Sequence, residues 1–277
     1  DTIKRYDGAS IYSYTQISKP TGVTATNLSG VSGTFTRAFR ISAFSAVGET
    51  LASDELLIVN MPQDMTTTTV RLNWTTSSPS SQVVGYGIYG IDSGDERFIT
   101  SVPASTLRYD YQGSDPSELV FPPLADNTSG PIAKFIIPFK GDKIILGNLV
   151  NEGRPSAIAW SGGGPNVDKF NWRFGGGTLD IDKDAGDYIT GLKEFQDQVV
   201  VFKQRSIWAV TFSLDSSTGI VIPTLKLLIR GVGAVSHRTI KHVENDVFFL
   251  SRRGVYSLGN EANFLAQVLR TSELSAR

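Results

Sequence analysis

Few residues of this chain have types and spacings that could do chemistry. His237 and His242 are its only histidines, five positions apart in a segment that reads as a turn followed by a strand. Metal-binding pairs favour a spacing of two on a strand and three or four on a helix, so this pair fits neither. A set of nucleophile, base and orienter also lacks its other members. The stretch Asp180-Ile181-Asp182-Lys183-Asp184-Ala185-Gly186-Asp187 alternates carboxylates in a loop, an arrangement that can converge on a calcium ion and its six to eight oxygens. The EF-hand pattern asks for Gly at the sixth position and Glu at the twelfth, where this sequence has Ala185 and Gly191. A solvated hairpin tipped by Ala185-Gly186-Asp187, with no dependence on calcium, is the plainer expectation.

Other patterns are weaker. Trp160-Ser161-Gly162-Gly163 has the outline of a nucleophile elbow, but position 159 is Ala and no helix pattern follows, so an exposed Ser in a glycine-rich turn is expected. Gly175-Gly176-Gly177 could cradle a phosphate, yet no strand-to-helix pattern surrounds it and a plain turn is expected. Asn27, Asn73 and Asn127 each begin a glycosylation acceptor triplet, a pattern short enough to arise by chance. Lys203-Gln204-Arg205 and Ser251-Arg252-Arg253 put basic residues on what read as successive hairpin tips, solvated turns that could also face an acidic neighbour. No catalytic, cofactor-binding or metal-binding residue is assigned on these grounds.

Composition narrows the classes. Of 277 residues, 40% are hydrophobic and 19% charged, with 27 Gly and 12 Pro, which suits an all-β chain with many turns. There is no Cys, so disulfides, zinc-thiolate sites and cysteine nucleophiles are excluded. Residues 1–130 hold 8 Lys and Arg against 13 Asp and Glu, and residues 131–277 hold 18 against 14, so the halves carry −5 and +4. Neither half is basic enough for a nucleic-acid footprint, and sequence-specific nucleic-acid binding is not expected. No apolar run approaches the ~18 residues of a membrane span, and the opening Asp-Thr-Ile-Lys-Arg-Tyr has no signal-peptide pattern.

The elements that must position these residues are strands. Gly191–Phe212 reads as a hairpin: Val199–Phe202 is a short apolar run, Lys203–Ser206 a polar turn, and Ile207–Phe212 a second strand. An Asp followed by one residue and an apolar run begins at Asp142, at Asp197, 55 positions on, and at Asp246, a further 49 on. Arg252-Arg253-Gly254-Val255-Tyr256 parallels Gln204-Arg205-Ser206-Ile207-Trp208. A hairpin recurring every ~50 residues is the sign of a β-propeller with one four-stranded blade per repeat. The three Asp residues are expected as turn-formers that bond nearby backbone N–H groups, and Trp208 and Tyr256 as inter-blade packing. Three repeats fall short of the four to eight blades of a closed propeller, so the propeller is expected to be partial here and the chain a piece of a longer polypeptide. Ser213–Gly219 comes near an Asp-box, but its Gly is one place late and no Thr-Trp follows.

Residues 1–19, with a short strand at Ser10–Thr15, are expected to finish an upstream blade. Residues 20–125 read as a β-sandwich, with strands at Val23–Thr26, Thr34–Phe44, Glu55–Val59, Thr69–Thr75, Gly85–Tyr89, Arg97–Val102 and Thr106–Tyr111. The segment from Phe121-Pro122-Pro123-Leu124 to Gly130-Pro131 reads as a linker, followed by blades over 131–277. Only Ala262–Thr271 has a weak helical pattern.

Two resemblances add to this reading. "FRISAFSAVGETLAS" and "VRLNWTTS…VVGYGIYG" resemble the penultimate-strand motif and the Trp and Tyr strands of a fibronectin type III module. In that family the Trp strand comes first, whereas here Glu49 precedes Trp74, so either one sandwich is permuted or two partial modules abut. The stretches "FKGDKIILGNLVNEGRPSAIAWSG", "YITGLKEFQDQVVVFKQRSIWAVTF" and "GVGAVSHRTIKHVENDVFFLSRRGVYSLG" resemble the β-propeller proteins of tailed-bacteriophage tails, of the nozzle, tail-tube or hub class. That resemblance implies a virion structural component, a conduit or connector located in the phage tail. Its implied partners are other tail or connector proteins and copies of itself in a ring, and it implies no catalytic residue and no cofactor. The alternatives are a carbohydrate-active propeller hydrolase or lyase with a binding module, and a host-binding adhesin.

Overall fold

A computed structural model describes residues 4–6, 9–65, 68–91, 95–113, 120–123, 125–150, 152–216, 220–263 and 266–273. The fold is all-β, and its short helical turns are all 3-10. The chain divides into two units, one spanning Lys4–Gly130 and the other beginning at Pro131.

In the first unit β1 (Lys4–Tyr6) and β2 (Ile11–Ser13) pair as a ribbon. There follow β3 (Thr24–Asn27), β4 (Phe35–Phe44), β5 (Leu56–Met61), β6 (Val70–Asn73), β7 (Gly85–Ile91), β8 (Arg97–Pro103) and β9 (Arg108–Tyr111). They form two antiparallel sheets, ordered β3-β6-β9 and β5-β4-β7-β8. Period-two alternation turns Phe39, Ile41 and Ala43 of β4 and Tyr86 and Ile88 of β7 toward Leu72 and Tyr111 of the other sheet, in one buried cluster. Phe39 meets Tyr111 edge-on at 5.1 Å, and Trp74 lies 5.5 Å from Tyr86. The Thr34–Phe44 motif and the Trp74 motif therefore share one core, and the unit is a single β-sandwich.

Its boundaries differ from those read in the sequence. Ile17, assigned to an upstream blade, is fully buried in the sandwich core, and its N–H donates to Thr128 Oγ1 at 2.9 Å. The segment around 125–130, read as a linker, belongs to the sandwich as well. Asn127 Oδ1 accepts the Glu49 N–H at 2.7 Å, Asn127 N–H donates to the Glu49 carbonyl at 3.2 Å, and Thr128 is fully buried. Proline and polar residues mark a linker in a sequence, but here the side-chain oxygens of Asn127 and Thr128 satisfy backbone donors of the sandwich.

The second unit holds three four-stranded antiparallel meanders. They are β10 (Ala133–Phe139), β11 (Lys143–Leu149), β12 (Arg154–Trp160) and β13 (Gly177–Asp180); β14 (Ile189–Phe195), β15 (Gln198–Lys203), β16 (Ser206–Leu214) and β17 (Val221–Arg230); and β18 (Lys241–Val243), β19 (Asp246–Ser251), β20 (Gly254–Asn263) and β21 (Ala266–Glu273). Within each sheet every strand pairs with the next in sequence. The middle sheet is covered on both faces. Val199, Val201 and Val210 join Ile145, Ile158 and Trp160 of the first sheet, and Val200, Phe202 and Ile207 join Val247, Phe249 and Tyr256 of the third. This is why Val199–Phe202 shows no alternation: successive residues face opposite apolar neighbours, each buried side chain contributing about 1.5–3 kcal/mol. Trp208 and Tyr256 pack against these inter-sheet clusters as expected.

Two expectations shift. Gln196 and Asp197 form a two-residue turn, with φ of 50° and 58°, between the paired residues Phe195 and Gln198. In the third sheet Glu244 and Asn245 fill that place and Asp246 pairs with Val243, so Asp246 matches Gln198 and Asn245 matches Asp197. Asp142 closes the turn Lys140-Gly141-Asp142 and does correspond to Asp197. Among the described residues none of the three carboxylates holds a backbone N–H; Asp197 lies instead 3.7 Å from Lys140 Nζ. The helical pattern at Ala262–Thr271 is also overturned, since β20 and β21 run through it as a hairpin pairing Asn263 with Ala266; Phe264 and Leu265 lie outside the described residues. Pairing with an adjacent strand outweighs a weak periodicity.

Candidate functional site

The fold takes up most of the chemically promising residues in its own bonds. Ser161, expected to be exposed, is fully buried; its Oγ accepts the Ile144 N–H at 2.9 Å and donates to the Gly162 carbonyl. The three glycines at 175–177 serve close packing. Gly175 ends a 3-10 turn at φ 83°, and a Cβ on Gly177 would sit 2.4 Å from the Trp160 ring. Asn27 closes a local turn, its Oδ1 accepting the N–H groups of Ser29 and Gly30, while Asn73 lies on β6. Asp215 N–H donates to the Ile220 carbonyl, and the rest of the near Asp-box, residues 217–219, lies outside the described residues.

The carboxylates of the Asp180–Asp187 loop diverge. Asp180 pairs with Arg154, whose guanidinium also reaches Glu152, at 2.9 and 2.7 Å. Asp187 is buried and accepts the N–H groups of Gln204 and Arg205 and the Ser206 hydroxyl, at 2.9, 3.1 and 3.0 Å. Asp182 adopts a left-handed conformation at φ 48° and faces Arg230 at 3.7 Å. The loop does hold a cationic group, supplied by the chain. Lys203, read as part of an exposed basic tip, is fully buried, and its Nζ donates to the carbonyls of Ile181 and Asp182. Arg205, Arg252 and Arg253 are the exposed basic tip residues. Among the described residues no group of three or more His, Asp or Glu side chains could hold a metal ion.

One constellation was passed over in the sequence. His237 begins the 3-10 turn His237–Thr239 and His242 lies on β18, and both line a groove of about 610 Å³ with Lys193 of β14, Arg238 and Lys241. Its apolar lining is Ile137, Leu192 and Ile240. Gly191 lets the turn approach, because a Cβ there would meet Ile240 Cδ1 at 2.3 Å and His237 Nδ1 at 3.2 Å. The Leu192 N–H donates to His237 Nδ1 at 3.3 Å, leaving Nε2 to carry the proton of the neutral ring. Phe135 packs 5.3 Å from the His237 ring, and Phe195 meets His242 edge-on at 5.5 Å. Burial, then the charges of Lys193 and Lys241, hold His237 below the ordinary imidazole value. The signal was the run from His237 to His242, with Arg238 and Lys241 between them, which spacing rules for metal ligands do not register.

No family model matches this sequence, and no curated protein matches it. No helix among the described residues is long and apolar enough to cross a membrane.

Proposed function

We propose that this chain is a structural component of a bacteriophage tail, of the nozzle or hub class, acting through assembly with other virion proteins. The observation that carries the reading is the succession of three sequential four-stranded meanders with apolar clusters between neighbouring sheets, the arrangement that consecutive propeller blades require. The β-sandwich supports a fibronectin type III-like module, since its two motif segments share one core.

Assembly follows from charge. A −5 first part and a +4 second part suit head-to-tail contact between copies, and such heterologous contacts close into rings when the rotation allows. Native mass measurement of the intact protein, with immunogold labelling of virions, tests this. Ring-sized assemblies and label confined to tails are expected. A protein that stays monomeric at micromolar concentration with tail neighbours present, and labels no virion, is not a tail component.

A further inference from the structure

The cationic groove has no use within the fold. Lys193, Arg238 and Lys241 form no ion pair among the described residues, and no carboxylate lines the groove. Three like charges beside two imidazoles repel one another, and chains ordinarily relieve that by dispersing such residues or pairing them. Here they converge over an apolar lining of Ile137, Leu192 and Ile240, and Gly191 makes room for the turn that brings in Arg238 beside His237. A ligand supplying several negative charges over a short span would relieve the repulsion. A chain of phosphoryl groups does so, its internal members carrying about one charge each and its terminal one close to two, with three acceptor oxygens. The groove volume, about 610 Å³, lies within the range of small-molecule sites, and its lining offers an apolar ring a surface.

We propose that the groove formed by β10, β14, the His237–Thr239 turn and β18 is a binding site for a small polyphosphate-bearing ligand. Lys193, Arg238 and Lys241 hold the phosphoryl oxygens, and the His237 Nε2–H donates to one of them. Neutralising Lys193 and Lys241 also removes the charges that, after burial, oppose protonation of His237, and the ligand's own negative charge favours the imidazolium, so binding raises its titration midpoint. The groups that face His237 are Lys193 on β14, Arg238 on its own turn, and Lys241 and His242 on β18.

With only two histidines in the chain, the imidazole C2 protons report this directly. Full-length protein is titrated with sodium tripolyphosphate at low ionic strength, then with adenosine triphosphate. Both resonances are expected to move saturably and the His237 midpoint to rise. Tighter binding of adenosine triphosphate means that the lining takes the base, and equal affinity that the phosphoryl chain alone is recognised. The Lys193→Gln, Arg238→Gln, Lys241→Gln triple variant is expected to lose about tenfold or more in affinity, and the effect to fade with salt. Lys241→Gln alone, an exposed position, gives a partial loss should the triple variant fold poorly. Arg252→Gln, Arg253→Gln is expected to bind as the wild type does. The proposal is overturned by unmoved resonances at about 10 mM ligand, by a shift that never saturates, or by variants of the groove that bind as tightly as the wild type.

Discussion

Lys203 Nζ donates to the Ile181 carbonyl at 2.7 Å, and to that of Asp182 at 3.1 Å, from a side chain with no exposed surface. A buried ammonium thus ties the Asp180–Asp187 loop to the end of β15. Burial pushes it below the ordinary lysine value, while the charges of Asp187 and Asp182 pull it back. Lys203→Met keeps the stem but leaves the Ile181 carbonyl without its donor, while that of Asp182 keeps the Ala185 N–H at 3.4 Å, and an orphaned buried acceptor costs about 1–3 kcal/mol. Urea unfolding is expected to show a loss of that size. A variant as stable as the wild type would mean that water replaces the ammonium at no cost.

The same contact bears on calcium. With two loop carbonyls bonded to Lys203, Asp187 engaged by three donors and Asp180 by Arg154, the loop has few oxygens to offer a divalent ion. Millimolar calcium is therefore expected to leave the melting temperature unchanged. A rise of several degrees would contradict this, because an ion that binds only the folded state stabilises it.

His237 makes stability depend on acid. Its folded value lies below the ordinary 6.5, so under acid conditions the unfolded chain takes up a proton more readily than the folded one. The contribution is whole above pH 6.5 and is lost as the pH falls below 6.5 toward the depressed folded value. His237→Asn keeps an acceptor for the Leu192 N–H and removes the titration. Denaturation midpoints measured between about pH 7 and pH 5 are expected to fall more steeply in the wild type than in the variant. Parallel curves would exclude His237 as the source.

The double-sided burial of the middle sheet predicts an asymmetry along one hairpin. Phe202 is fully buried and packs 5.1 Å from Phe249, whereas Leu214 at the end of β16 is 67% exposed. Phe202→Ala is expected to cost about 3–5 kcal/mol and Leu214→Ala to fall within about 0.5 kcal/mol of zero. Comparable losses at both positions would mean that Leu214 is covered in solution.

In the sandwich, Glu49 Oε1 accepts the hydroxyls of Tyr89, at 2.6 Å, and of Ser42, all three being buried. Glu49→Gln retains that acceptor and is expected to unfold close to the wild type. Glu49→Leu removes the acceptor that both hydroxyls share and is expected to cost about 1–3 kcal/mol. Equal destabilisation by the two variants would show that the charge, and not the acceptor, matters there.

What the sequence determined by itself was the local pattern of burial along each strand. Alternation in Thr34–Phe44, the unbroken run Val199–Phe202 and the polar tips between apolar segments each reflect which faces of a strand are covered, and a period of two writes that directly into residue order. The recurrence at Asp142, Asp197 and Asp246 marked three hairpins, although the third Asp stands one residue past the turn, a difference that only strand pairing resolves. Tertiary structure decided what each polar side chain does, because its partner is distant in the chain. Lys203 reads as a hairpin tip until Ile181 and Asp182 are brought over it, and Asn127 reads as a linker residue until its amide reaches Glu49. The groove is the extreme case. Lys193 and His237 lie 44 positions apart in the sequence and meet only because Gly191 lets a turn settle against β14. Local periodicity encodes burial, whereas convergence of charge depends on how separate sheets pack.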